Sequence, residues 1–147
     1  MAAPSGGGGG GPGPTGFAGG VASTGSGIQY VGNHAYGNAG TINATSAADI
    51  IPFDFTSAST SYIVARMFVG YDADDLASGN QFGYRIKFND ESIFFTRREA
   101  NAADQVTNPF PAWVDFIIPS ETRVTVEGFT NGSGLDMSFI ITGRVYA

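Results

Sequence analysis

The chain has 147 residues, and its 13 Asp and Glu outnumber its 7 Lys and Arg to give a formal net charge of -6. Phosphate neutralisation requires clustered cations, and the basic residues Arg66, Arg85, Lys87, Arg97, Arg98, Arg123 and Arg144 are scattered apart from one adjacent pair, so direct nucleic-acid binding is disfavoured. Cys is absent, which rules out a cysteine nucleophile and a thiolate zinc site, and no stretch reaches the roughly 18–20 apolar residues of a membrane helix.

From Met1 through Ala48 there is no Asp, Glu, Lys or Arg, and Pro4 to Pro14 is nearly pure glycine and proline. Such a segment has neither apolar side chains to bury nor charges to solvate, so residues 1–27 read as an extended arm that is either a flexible leader or gripped by neighbouring subunits. It lacks the basic start and apolar run of a secretory signal. Residues 28–147 have the length of one domain, and 12 Phe, 6 Tyr and 1 Trp supply enough apolar area for a core without disulfides.

Along that domain, Ile28 to Val31 predicts a short strand, a Gly/Asn loop follows through Gly40, and Thr41 to Thr45 predicts another strand. Ile50 to Phe55 is β-branched and aromatic, and Pro52 places it at a sheet edge or strand start. Tyr62 to Val69 is apolar on both faces, as expected of a strand covered on both sides, and an acidic loop, Asp72 to Asn80, ends it. Phe82, Tyr84, Ile86 and Phe88 alternate with Arg85 and Lys87, so this strand is half-buried; the Asn89-Asp90-Glu91 turn joins it in a hairpin to Ser92–Thr96. Ala100 to Pro111 predicts a loop in which one X-Pro bond is a candidate cis bond, with Arg98 to Gln105 the sole candidate helix. Trp113 to Ile118 and Arg123 to Glu127 predict strands, the latter with Val124 and Val126 inward. After the Asn131 to Gly134 turn, Leu135, Met137, Phe139, Ile141 and Val145 share the inner face of the last strand. Ile140 and Tyr146 interrupt its polar face, where a second subunit or solvent covers them. About eight short strands with almost no helical period define an all-β fold, an antiparallel β-sandwich that is jelly-roll-like.

Chemistry-bearing clusters are sparse. His34, the only histidine, has no carboxylate near it in sequence, and no Gly-x-Ser-x-Gly elbow is present to position a nucleophile. Asp72, Asp74 and Asp75 could ligate a hard cation, although Leu76 breaks the alternating pattern of a calcium loop, and a solvated turn is the simpler expectation. Asp115 and Glu127, on successive strands, could in principle face each other as a carboxylate pair for glycoside hydrolysis, though any sandwich with 13 acidic residues offers such pairs. Asn43-Ala44-Thr45 and Asn131-Gly132-Ser133 match the glycosylation sequon by chance. No catalytic, cofactor-binding or metal residue is assigned, and no enzyme activity is expected.

The stretch from Phe116 to Val126 and the closing run Phe139-Ile140-Ile141-Thr142-Gly143-Arg144-Val145-Tyr146 are similar to the closing strands of small structural proteins of viruses and phages. With the glycine-rich arm and the strand count, the chain resembles single jelly-roll capsid, decoration or spike subunits. The resemblance implies a virion protein, synthesised in the host cytoplasm, that forms homo-oligomers and packs against other capsid subunits with its arm between neighbours. Arms that touch a packaged genome are rich in Lys and Arg, and this one has none, which points to a minor capsid, cement or vertex position. The alternative is a carbohydrate- or receptor-binding module of a fibre or spike, in which Tyr36, Tyr71 or Trp113 would offer stacking surfaces.

Overall fold

The computed structural model describes residues 27–147, so the arm assigned to residues 1–27 lies, but for its last residue, outside the described residues. The described chain forms nine strands: β1 (Gln29–Val31), β2 (His34–Ala44), β3 (Ile50–Thr56), β4 (Tyr62–Tyr71), β5 (Gln81–Phe88), β6 (Glu91–Glu99), β7 (Val114–Ile118), β8 (Arg123–Thr130) and β9 (Leu135–Tyr146). They make two antiparallel sheets, one of five strands in the order β1-β2-β9-β4-β7 and one of four in the order β3-β8-β5-β6. Leaving β1 aside, the chain changes sheet at every connection except the β5–β6 hairpin, so the order is that of a jelly-roll-like sandwich.

The alternation along β5, β8 and β9 dictates the core. Phe82, Tyr84, Ile86, Val124, Val126, Met137, Phe139 and Ile141 are buried between the sheets with Phe53, Ile63, Met67 and Ile118. One end is closed by Phe110, whose ring lies 5.2 Å from Tyr84, 5.3 Å from Phe82 and 5.4 Å from Tyr71. The β5–β6 turn has two central residues, Asn89 and Asp90, both at positive φ (50° and 72°), the backbone twist that a two-residue hairpin favours and that Asn and Asp tolerate best.

Three local expectations are corrected. The Gly/Asn stretch expected as a loop through Gly40 is most of the 11-residue strand β2, because β9 pairs with it along its length and supplies the order its own side chains do not. Gly37 is required there: a Cβ would sit 2.7 Å from the Phe53 ring. Gly40, at φ +70°, takes the register shift opposite Phe139 and Ile140. The candidate helix from Arg98 to Gln105 does not form; Arg98 and Glu99 complete β6, and the rest is a loop pinned by an Ala102–Gln105 bridge. All peptide bonds of the described residues are trans.

Exposed sheet edges invite pairing with other chains, and each edge here is blunted. β1 has three residues and β7 five. β3 carries Pro52 within a register break, as its sequence leads one to expect of an edge strand. In β6 the register shifts opposite Ile86 and Lys87, and Arg98 Nη1 donates to the Arg97 carbonyl at 3.0 Å.

Candidate functional site

The two sheets present outer faces of opposite character. On the four-stranded sheet, charges are spent on one another. Glu127 accepts from Lys87 Nζ at 3.1 Å and Arg85 Nη1 at 3.4 Å, and Arg123 grips Asp54 through two hydrogen bonds of 2.9 and 2.8 Å. These bonds hold the Asp54 carboxyl below its ordinary value, opposed in part by burial. The Arg85 guanidinium lies over Phe95 and Phe129, which stack at 5.7 Å and 5°.

The outer face of the five-stranded sheet carries most of the exposed apolar side chains, interspersed with Arg66, Asp115, Thr142 and Arg144. Of the eleven large hydrophobic side chains exposed among the described residues, nine lie on it or at its rim: Val31, Tyr36, Tyr62, Val64, Phe68, Trp113, Ile117, Ile140 and Tyr146, each 38–63% exposed. The strand registers set them side by side. Phe68 is opposite Ile140, Val64 opposite Ile117, and Tyr62 opposite Tyr146, the last pair stacked at 5.3 Å. At the middle, Arg66 Nε and Nη2 donate to the two oxygens of Asp115 at 2.7 and 3.0 Å, and the guanidinium sits 4.4 Å from the centre of the Trp113 ring, which meets Phe68 edge-on at 6.2 Å. The hydrogen bonds from Arg66 hold the Asp115 carboxyl below the usual carboxylate range. This ion pair neutralises Arg66 and fixes the indole over it; a second cation, Arg144, lies on the same face opposite Val64, with its guanidinium 5.9 Å from the Tyr146 ring centre.

Tyr62 to Val69 was expected to be covered on both sides; within a single chain only the Ile63, Ala65 and Met67 side is, and Tyr62, Val64 and Phe68 are left open. Ile140 and Tyr146, singled out as breaks in a polar face, belong to this patch. The sequence signal for the rest was present in the double-sided apolarity of Tyr62 to Val69 and Trp113 to Ile118, but only the strand order shows that these segments are neighbours.

The other candidate residues are placed differently. His34 is an exposed strand residue rather than a loop one, stacked on Tyr36 with ring centres 6.1 Å apart. Asp72 accepts from the Asp74 N–H at 3.0 Å to cap a short 3-10 turn, and Asp75 accepts from the Asp136 N–H at 2.9 Å, so both serve the backbone. Among the described residues no group of three or more His, Asp or Glu is arranged to hold a metal. Asp115 and Glu127 do not face each other: β7 and β8 belong to different sheets, and each carboxylate points outward to its own cations. Tyr71 packs on Phe82 and Phe110 at 4.8 and 5.4 Å, where burial pushes its phenol up. Tyr36 and Trp113 are exposed but separated by three strand spacings, about 14 Å, so the three aromatics line no common groove. Asn43 donates to its cross-strand partner Asp136 at 2.7 Å, and Asn131 accepts from the Gln81 N–H at 2.8 Å, tying the β8–β9 turn to β5.

No protein-family model, curated protein or solved structure matches this chain.

Proposed function

We infer that this chain is a structural subunit of a virus particle, in a minor capsid, cement or vertex position, and that it works through protein–protein interfaces. One observation carries the inference: an apolar surface spread over all five strands of one sheet, on a chain whose opposite face is a network of paired charges. Contiguous exposed apolar surface of this kind marks a contact with another macromolecule. A closed symmetric assembly multiplies one such contact. The strand order supports the viral setting by analogy, since double-sheet jelly rolls recur in capsid subunits, although a fold by itself does not fix a function. The charge-free arm suits a place against protein rather than a packaged genome.

The test is mass spectrometry of particles purified by density gradient from cells in which the chain is made. The chain is expected to band with the particles at a fixed ratio to the other structural proteins. Its absence from particles carrying a complete shell would overturn the inference.

A further inference from the structure

We propose that the outer face of the five-stranded sheet is covered by the same face of a second copy of this chain, in a twofold dimer. The proposal rests on the structural role inferred above and names the partner of that surface. Two observations select a second copy.

The first is size. From Tyr62 and Tyr146 to Phe68 and Ile140 the patch runs six residues along the strands, and it crosses all five strands of the sheet. At about 3.4 Å per residue and about 4.8 Å per strand its footprint, which also holds Arg66, Asp115, Thr142 and Arg144, is on the order of 500 Å², the scale of the centre of a standard interface burying about 800 Å² per partner.

The second is charge. The outward side chains of this sheet include Arg66 and Arg144 against Asp115 and Asp136, a balance of zero on a chain of net charge -6. The whole acidic excess of the chain lies elsewhere, so two copies meet through this face with the least mutual repulsion.

The chain's single Trp, Trp113, lies on the patch and reports on its covering without any substitution. Sedimentation velocity of the full chain from about 1 µM to about 1 mM spans dimer affinities of about -8 to -4 kcal/mol. A monomer–dimer transition is expected within that range, with acrylamide quenching of Trp113 falling as the dimer forms. Ile117→Glu and Tyr36→Glu, on opposite sides of the patch, are each expected to weaken the dimer at least about tenfold. Phe95→Glu, equally exposed but on the other sheet, is expected to leave it unchanged. Circular dichroism selects the variants that are folded. A full chain that stays monomeric throughout, a dimer that leaves Trp113 quenching unaltered, or a dimer lost in Phe95→Glu but kept in Ile117→Glu and Tyr36→Glu overturns the proposal. A monomeric chain that still bands with particles overturns the dimer alone and leaves the structural role standing.

Discussion

Truncating Phe110 to Ala tests whether an irregular loop, rather than a strand, seals the sandwich. Phe110 is 8% exposed and touches the rings of Tyr71, Phe82 and Tyr84, with the Arg98 guanidinium 5.9 Å from its own ring centre. Buried Phe→Ala changes cost about 3–5 kcal/mol through lost transfer energy and the cavity left behind, and in a domain of this size that lowers Tm by roughly 10–20 °C. Phe110→Leu keeps most of the apolar volume, loses the ring contacts worth about 0.5–1.5 kcal/mol each, and is expected to fall between the variant and the parent. Differential scanning calorimetry measures the shift. A second readout locates the damage: burial pushes the Tyr84 phenol up to about 12, with Arg98 pulling the other way, so opening the plug moves its ionisation back toward 10.0 and phenolate absorbance appears at lower pH. A Tm change below about 4 °C in Phe110→Ala, or an unmoved phenolate edge, would refute the assignment of Phe110 as the seal.

Ser57 is buried and bridges two loops, donating to the Pro119 carbonyl at 2.5 Å and accepting from the Thr122 N–H at 2.9 Å; Ser57→Ala orphans that N–H and is expected to cost about 1–3 kcal/mol in urea denaturation. Asp90→Gly relieves the positive φ in the β5–β6 turn, but added freedom of the unfolded chain, about 0.4–1 kcal/mol, offsets the gain and it is expected to melt close to the parent, whereas Asp90→Val in the same left-handed position is expected to destabilise by about 1–2 kcal/mol; thermal melts should place the Val variant clearly below the Gly variant. The folded-state pKa of Asp54 lies below its ordinary 3.8 because Arg123 bonds the carboxylate, so its contribution to stability is present above about pH 4 and is lost as pH falls through the lowered value. For an exposed pair that contribution is about 0.2–1 kcal/mol, so Asp54→Asn is expected to flatten the acid limb of the stability curve slightly while leaving stability at neutral pH lower.

Strand existence and facing were legible wherever one face is buried and the other wet. The alternation in Phe82–Phe88 and Leu135–Ile141 is a period-two signal that burial imposes locally, and the Asn89-Asp90 turn announces itself because few residue types accept its backbone. The acidic turn at Asp72–Asp75 was likewise recognisable as a turn, but its purpose was not, since the Asp136 N–H that Asp75 caps comes from 61 residues away. The β2 strand was hidden because glycine and asparagine carry little strand preference of their own, and β9 pairing overrides that weakness.

Composition by itself determined that this chain has an all-β core without disulfides and a leader without charge, since those follow from which side chains are present and how they alternate. Only the tertiary structure decided which surfaces the surplus apolar residues share. Tyr62, Val64, Phe68, Ile117, Ile140 and Tyr146 come from three strands separated by long connections, and sheet pairing alone makes them one surface. The same pairing set Arg66 against Asp115 and sent Asp115 and Glu127 to different sheets. Local sequence encodes the direction in which a side chain points from its strand, but its neighbours across the sheet are chosen by strand order, which depends on contacts between residues far apart in the chain.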